Sequence, residues 1–373
     1  MKIAFLAAQS SVHTVRWVNA LAERGYEIHL FTVHPGREPL HPAVHVHEIL
    51  GLFSKPSLSY FFSAPNLRKK ISEVKPDILH AHYATGYGTL GRLSRFRPFL
   101  LSVWGSDVYE YPFSSPLHRY IVTRNLRAAD LVLSTSQAMA QQTLKLEPNV
   151  RGIEITPFGV DVAQFRPHPE HKNPQLFTVG TVKSLAPQYG VDLLLHAFAL
   201  AHRHLVENAP NIGRSLRLLI VGDGPDRKRL ESLSRRLKID KITTFVGAVP
   251  HKEVPRYLNQ LDVYVALSRY ESFGVAVLEA QACGIPVIVS EVGGLPEVVS
   301  HESTGFVVPK ENPWSAAEKI ILFALNRELL SKMGENSRKF VANSFSWEKS
   351  LKKMENIYEV VYKNKNKYKN PRV

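Results

Sequence analysis

The stretch Leu267–Ala282, L-S-R-Y-E-S-F-G-V-A-V-L-E-A-Q-A, reads as the end of a strand, a loop, and a helix opening near Phe273 or Gly274. Glu271 lies in the loop, and Glu279 lies about two turns inside the helix, given the 3.6-residue period. The free N–H groups and the dipole at a helix start favour an anion. Gly274 has no side chain to keep a phosphate away. Carboxylates on either side of such a site can accept hydrogen bonds from sugar hydroxyls. The pattern therefore suits a nucleotide sugar, with its diphosphate at the helix start. A capped surface helix would read the same way.

Outward from this stretch, short apolar runs alternate with amphipathic ones. Strands are expected at Lys2–Ala8, Glu27–Val33, Ile78–His82, Phe99–Val103, Leu131–Thr135 and Ile153–Thr156. Val15, Val18 and Leu21 recur at helical spacing, and Gly25 ends that helix. A run punctuated by Pro157, Pro167, Pro169 and Pro174 reads as a linker. The pattern then restarts, with strands expected at Leu176–Val182, Leu216–Val221, Thr243–Val246, Val263–Leu267 and Pro286–Ser290. This βαβ order predicts an α/β fold of two Rossmann-like domains with parallel sheets facing a central cleft. The domains are placed at 1–168 and 169–346. A helix over 347–362 is expected to cross back to the first domain, and a basic tail over 363–373 to be disordered. Ligands are expected beyond the carboxyl ends of the strands.

The 373 residues are 44% hydrophobic and 21% charged, ordinary globular values that exclude wholesale disorder. The single cysteine, Cys283, excludes an intrachain disulfide and fits a reducing cytosol; it reads as core. No apolar run approaches the roughly 18 residues a membrane-spanning helix needs. Met1–Ala8 reads as a first strand, not a signal peptide. The 47 Lys and Arg against 33 Asp and Glu give a net charge of +14. Five of the bases fall in the last eleven residues, and the body stays basic without them. Such a balance attracts polyanions, or simply keeps a surface solvated. No helix-turn-helix, finger or RNP-like motif accompanies it, so no nucleic-acid partner is expected.

The segment Gly51–Ile71 holds Phe53, Tyr60, Phe61 and Phe62, then Arg68, Lys69 and Lys70. It reads either as a surface for anionic lipid or as a loop whose aromatics fold back into the core. His80 and His82 end a strand on one face, two residues apart, and read as a polar cleft wall. A metal there would need a third ligand that the sequence does not name. His13 and His118 are further cleft candidates.

Glu271-x7-Glu279 resembles the E-x7-E motif of retaining glycosyltransferases of the GT-B fold, in particular glycosyltransferase family 4. Ala282-Cys283-Gly284-Ile285-Pro286-Val287 resembles that family's A-x-G-x-P-V. Gly293-Gly294-Leu295-Pro296-Glu297-Val298-Val299 resembles its G-G-x-x-E turn, and Gly305-Phe306-Val307-Val308-Pro309 the strand that follows. Val221-Gly222-Asp223-Gly224-Pro225 and Phe158-Gly159-Val160-Asp161 are similar to its glycine turn and hinge signature.

The resemblance implies that Glu279 holds the ribose hydroxyls and that Glu271 touches the donor sugar. It implies that the backbone of Phe273, Gly274 and Val275 meets the diphosphate or the sugar. The residues around Gly222, Gly224 and Gly247–Pro250 would frame the base. Lys183 would be the cation aimed at the leaving diphosphate. The family's second cation falls near Gln188 or Tyr189, where none stands, so either Lys183 carries the charge with helix amides or another base such as Arg227 reaches in. In place of a glycine pair after the first strand, Ser10 and Ser11 would donate at a helix start. In place of H-G-x-D the chain has Trp104-Gly105-Ser106-Asp107, the form of one branch of the family. Trp104 can stack on a sugar but cannot act as a base. Asp107 is a candidate for sugar hydroxyls.

The expectation is a retaining glycosyltransferase that moves a sugar from a nucleoside-diphosphate sugar to a glycan or lipid-linked acceptor, without a metal. Cell-surface polysaccharide or glycolipid synthesis is the expected setting. The expected place is the cytoplasm, including the inner membrane face, with an anionic membrane surface as a possible partner. A GT-B nucleotide-sugar epimerase, a sugar-phosphate-forming enzyme and a non-catalytic polyanion binder are the alternatives.

Overall fold

A computed structural model describes residues 1–36, 38–49 and 60–369. The chain divides into two units, Met1–Pro157 with Ser350–Val373, and Phe158–Lys349.

The first unit carries β1 (Lys2–Leu6), β2 (Glu27–Thr32), β3 (Val44–Glu48), β4 (Ile78–His82), β5 (Phe99–Val103), β6 (Leu131–Ser134) and β7 (Ile153–Ile155). They form one sheet in the order β3-β2-β1-β4-β5-β6-β7, with every neighbouring pair parallel. Strands β4 and β5 are buried along their whole length, as in a sheet covered on both faces. The helix Val12–Glu23 after β1 buries Trp17, Val18 and Leu21.

The second unit carries β8 (Phe177–Val182), β9 (Leu216–Val221), β10 (Thr243–Gly247), β11 (Val263–Ala266), β12 (Val287–Ser290) and β13 (Gly305–Val308). Their order is β10-β9-β8-β11-β12-β13, again all parallel. Phe177, Phe198 and Phe323 are fully buried in its core. Each stabilises the fold by ~1.5–3 kcal/mol through its buried area.

In each sheet the order reverses direction beside its first strand, between β1 and β4 and between β8 and β11. Loops leaving the carboxyl ends at such a switch point splay apart and leave room for a ligand.

Three expectations change. The division falls after Pro157, not 168, because Phe158–Arg166 packs within the second unit. Phe158 meets the Phe273 ring, Val160 pairs with Ser346, and Arg338 donates to the carbonyls of Val162 and Phe165. The basic tail is helical over Lys365–Lys369, after a helix Trp347–Lys363, and Lys365 Nζ lies 3.2 Å from Asp77. Residues 370–373 lie outside the described residues, as does Phe53. Strand β3 is an addition, since V-H-V-H-E lacks a continuous apolar run. Among the described residues no helix is long and apolar enough to cross a membrane.

Candidate active site

In the second unit, β8 ends at Val182 and delivers Lys183. The loop after β11 delivers Glu271, and Lys183 Nζ lies 2.5 Å from Glu271 Oε2. The same ammonium sits 4.4 Å from the centroid of the Tyr189 ring, a cation–π contact. Burial works to depress the Lys183 ammonium, but the Glu271 carboxylate together with Tyr264 and Tyr189 holds the pKa above its ordinary value. Lys183 is therefore charged throughout the physiological range.

Glycines fix these loops against one another. A Cβ on Gly293, at φ +49°, would lie 1.8 Å from the Glu271 carbonyl oxygen. A Cβ on Gly222, at φ +134°, would lie 1.9 Å from the Lys183 carbonyl oxygen. Lys183 N–H donates to Val221 O at 2.9 Å, and Leu185 N–H to Asp223 O at 2.9 Å. A Cβ on Gly224 would lie 2.3 Å from the Leu185 carbonyl oxygen. The glycine turns thus set the positions of Lys183 and Glu271, whatever else they touch.

The helix Val275–Ala282 starts at Gly274, whose φ is +109°, and has no side-chain cap. Its first-turn N–H groups therefore keep their affinity for an anion. The Phe273 side chain is core, between the Phe158 and Phe345 rings, so only its backbone is offered to a ligand. Glu279, 8% exposed, accepts from or shares a proton with His251 Nε2 at 2.8 Å. His251 is a partner that the sequence reading missed, although it stands immediately after the Gly247–Pro250 turn.

Gln188 contributes through its backbone, its carbonyl accepting Arg269 N–H at 2.7 Å. Arg269 binds Asp192 bidentately, at 2.9 and 3.0 Å, and Glu311 at 2.8 Å. This cation went unnoticed between Leu267 and Glu271, and its charge is spent on two carboxylates. Arg227 lies beside Gly247 and is engaged by Asp223 and Glu231, with no contact to Lys183 or Glu271. It does not supply the second cation at the pair.

In the first unit the start of the helix Val12–Glu23, the last residue of β4 and the residue after β5 bring His13, His82 and Trp104 together. The Trp104 ring centroid is 4.6 Å from that of His82 and 5.8 Å from that of His13. His82 is buried, and burial holds its imidazole neutral, well below the usual pKa. His80 does not line an open wall. It is fully buried, with Nδ1 2.7 Å from the Tyr358 hydroxyl and Nε2 2.8 Å from Ser102 Oγ, and its pKa falls to about 3. Both ring nitrogens are occupied, which removes it as a metal ligand.

Asp107 is corrected from a sugar contact to a positioning residue. It is fully buried, and its oxygens accept N–H from Ala84 at 2.8 Å, Gly105 at 2.8 Å and Trp104 at 3.1 Å. Burial raises its pKa, against these bonds. Ser11 is the N-cap of Val12–Glu23, accepting Thr14 N–H at 3.5 Å, while Ser10 is exposed beside it. His118 stacks edge-on to Tyr111 and bonds Ser115. Among the described residues, one cluster has metal-ligating types within reach of each other: His168, Glu170 and His171. None of them lies on the loops that carry Lys183 and Glu271.

One switch point of these parallel sheets thus combines an uncapped helix start with a lysine–glutamate pair, an arrangement that favours an anion. Residues 2–136 match the family described as glycosyl transferase 4-like, and residues 164–340 match glycosyl transferases group 1. The chain belongs to these glycosyltransferases and has their GT-B fold. It is 28% identical over 337 residues to an uncharacterized glycosyltransferase of Methanocaldococcus jannaschii, covering 89% of this chain and 90% of that protein. It is 27% identical over 363 residues to the N-acetyl-alpha-D-glucosaminyl L-malate synthase of Bacillus anthracis, covering 91% and 90%. Among solved structures, the sucrose-phosphate synthase of Thermosynechococcus elongatus matches with a TM-score of 0.82 at 21% identity, over 97% of this chain and 99% of that one. HepE of Anabaena, in complex with UDP-glucose, matches with a TM-score of 0.76 at 18% identity, over 96% and 100%.

Proposed function

We propose that this glycosyltransferase takes its sugar from a nucleoside diphosphate sugar bound on the second unit and transfers it with retention of configuration. The observation that carries the reading is the Lys183–Glu271 pair beside the start of the helix Val275–Ala282. The diphosphate sits at the first-turn N–H groups, and Glu279, oriented by His251, receives the ribose hydroxyls.

As the bond between the sugar's anomeric carbon and the diphosphate breaks, negative charge grows on the leaving oxygen. Lys183 and the helix start face that charge already oriented, so they stabilise it more in the transition state than in the ground state. The acceptor oxygen bonds to the anomeric carbon on the same face, and its proton passes to the departing phosphate. No side-chain base is needed, which accommodates Trp104 where many relatives carry histidine. Positive charge from Lys183 and the helix makes a metal unnecessary in this scheme. The acceptor is a glycan or lipid-linked sugar on a pathway to surface polysaccharide or glycolipid, met in the cytoplasm or at the inner membrane face.

HepE binds UDP-glucose, so uridine nucleotides are the first to try. The test is a thermal-shift panel of UDP-, GDP- and ADP-linked sugars in the presence of EDTA. A ligand that binds only the folded state raises its melting temperature. One sugar nucleotide should do so, and Glu279→Ala should abolish the shift. No shift with any sugar nucleotide would overturn the donor assignment. Inversion at the anomeric carbon, read by NMR of the product, would overturn the mechanism.

A further inference from the structure

We propose that the acceptor is an amphiphile, a phosphate-bearing lipid-linked sugar, whose hydrocarbon seats in an aromatic cavity of the first unit. The inference rests on the transferase reading above and names its acceptor class.

The cavity has a volume of about 420 Å³ and lies between Tyr60, Phe61, Tyr111, Leu117 and Ile121. Its floor includes Thr85 and Gly86, which directly follow the β4 terminus and Tyr83. It therefore opens at the carboxyl end of the sheet, next to the loop whose Tyr83 ring contacts Trp104 at 6.1 Å. A Cβ on Gly86 would fall 2.2 Å from the Tyr60 ring, so the glycine lets that ring close down as a wall.

The rim is apolar where a soluble surface would be polar. Leu117 is 64% exposed and Tyr120 60% exposed, and Phe61, Phe62 and Phe113 are also exposed. Leu117, Tyr120, Ile121 and Arg124 recur at helical spacing along the helix Pro116–Ala128, so they share one face. That helix has no acidic residue in its sequence P-L-H-R-Y-I-V-T-R-N-L-R-A. Arg124, on that same face, is exposed and has no carboxylate partner among the described residues, and its guanidinium lies 6.0 Å from the Tyr120 ring centroid. An apolar seat with an exposed guanidinium on the same helix face is complementary to hydrocarbon joined to phosphate. A free glycan can stack on the aromatic rings but offers nothing to the exposed leucine.

The probe is farnesyl phosphate below its aggregation limit, titrated by calorimetry, with farnesol and inorganic phosphate beside it. Wild-type protein should bind it saturably, and inorganic phosphate alone far more weakly. Leu117→Glu should weaken binding at least tenfold. Arg124→Ala should weaken farnesyl phosphate but leave farnesol unchanged. These positions are exposed, and an intact thermal shift with the donor nucleotide reports that each variant is folded. Absence of saturable binding, or equal binding by Leu117→Glu, would sink the proposal. Loss of association with anionic vesicles in Leu117→Glu, with farnesyl phosphate still bound as in wild type, would make the face a membrane surface and also overturn the seat. Donor binding by wild type separates the two failures. If the donor binds and farnesyl phosphate does not, only the acceptor inference falls.

Discussion

Lys183 and Glu271 belong to loops after different strands, yet their charged atoms are 2.5 Å apart. Their side chains are 16% and 12% exposed, so water screens the pair little. Replacing Lys183 by Met should lower kcat/KM by about 10²–10³, the usual cost of losing one positioned charge-stabilising group. It also strands Glu271, at about 1–3 kcal/mol of stability. Adding Glu271→Gln should restore the melting temperature and leave activity low. Steady-state kinetics with thermal melts check both arms. The Lys183 pKa is raised in the folded state, so the stability the pair supplies is present below the ordinary value of 10.5 and is lost only as pH climbs above it.

Gly293→Ala tests whether the loops are held by close backbone approach. Its Cβ would occupy the place of the Glu271 carbonyl oxygen, at a positive φ that itself costs about 1–3 kcal/mol. The Glu271 loop must shift. The expected outcome is donor turnover down by about tenfold or more, a 1.4 kcal/mol effect or larger. Isothermal titration with the donor nucleotide and an assay of transfer measure it.

Asp107→Asn separates a positioning residue from a substrate contact. An amide offers one acceptor oxygen where the carboxylate offers two, and its NH₂ must then face an N–H of Ala84, Trp104 or Gly105. The melting temperature should drop, with about 1–3 kcal/mol lost. KM for the acceptor should change little in protein still folded at the assay temperature. A large KM change with unaltered stability would contradict the positioning role.

Acid should weaken the fold early. Burial lowers the pKa of His80 to about 3 and depresses His82, His29, His34 and His47 as well. In the unfolded chain these imidazoles take protons near 6.5, whereas the folded ones resist. The stability they contribute is thus present above 6.5 and drains away as pH falls below it. Each fully resistant group costs about 1.4 kcal/mol per pH unit in that window. Melting temperature against pH should be flat above 7 and decline below 6.5. His80→Gln should be less stable at pH 8 and decline less steeply.

The parallel strands and the glycine turns were legible because strands buried on both faces write continuous apolar runs, and because glycine turns are sparse and positional. Edge strand β3 was not legible, since its histidines pack by stacking on His29 and Phe31, which no periodicity records. Asp107 looked like a polar loop residue, and only the backbone amides around it make it core. His251 and Arg269 act on residues distant in sequence, so nothing local marks them. The sequence of the basic tail reads as unstructured because its charge outweighs its pattern. Asp77 and the Tyr362 ring, 4.1 Å from Lys365 Nζ, give that charge a partner.

The return of residues from Ser350 onward to the first unit bears on how the protein is made. A ribosome releases Met1–Pro157 first, but that portion lacks the Tyr358 hydroxyl that occupies His80 Nδ1 and the Glu355 carboxylate 3.0 Å from Arg24. The second unit is an uninterrupted segment and is fully synthesised before those residues emerge. The first unit, although begun earlier, therefore cannot finish ahead of the second. A nascent chain stalled anywhere before Tyr358 presents an unfinished first unit to chaperones and proteases.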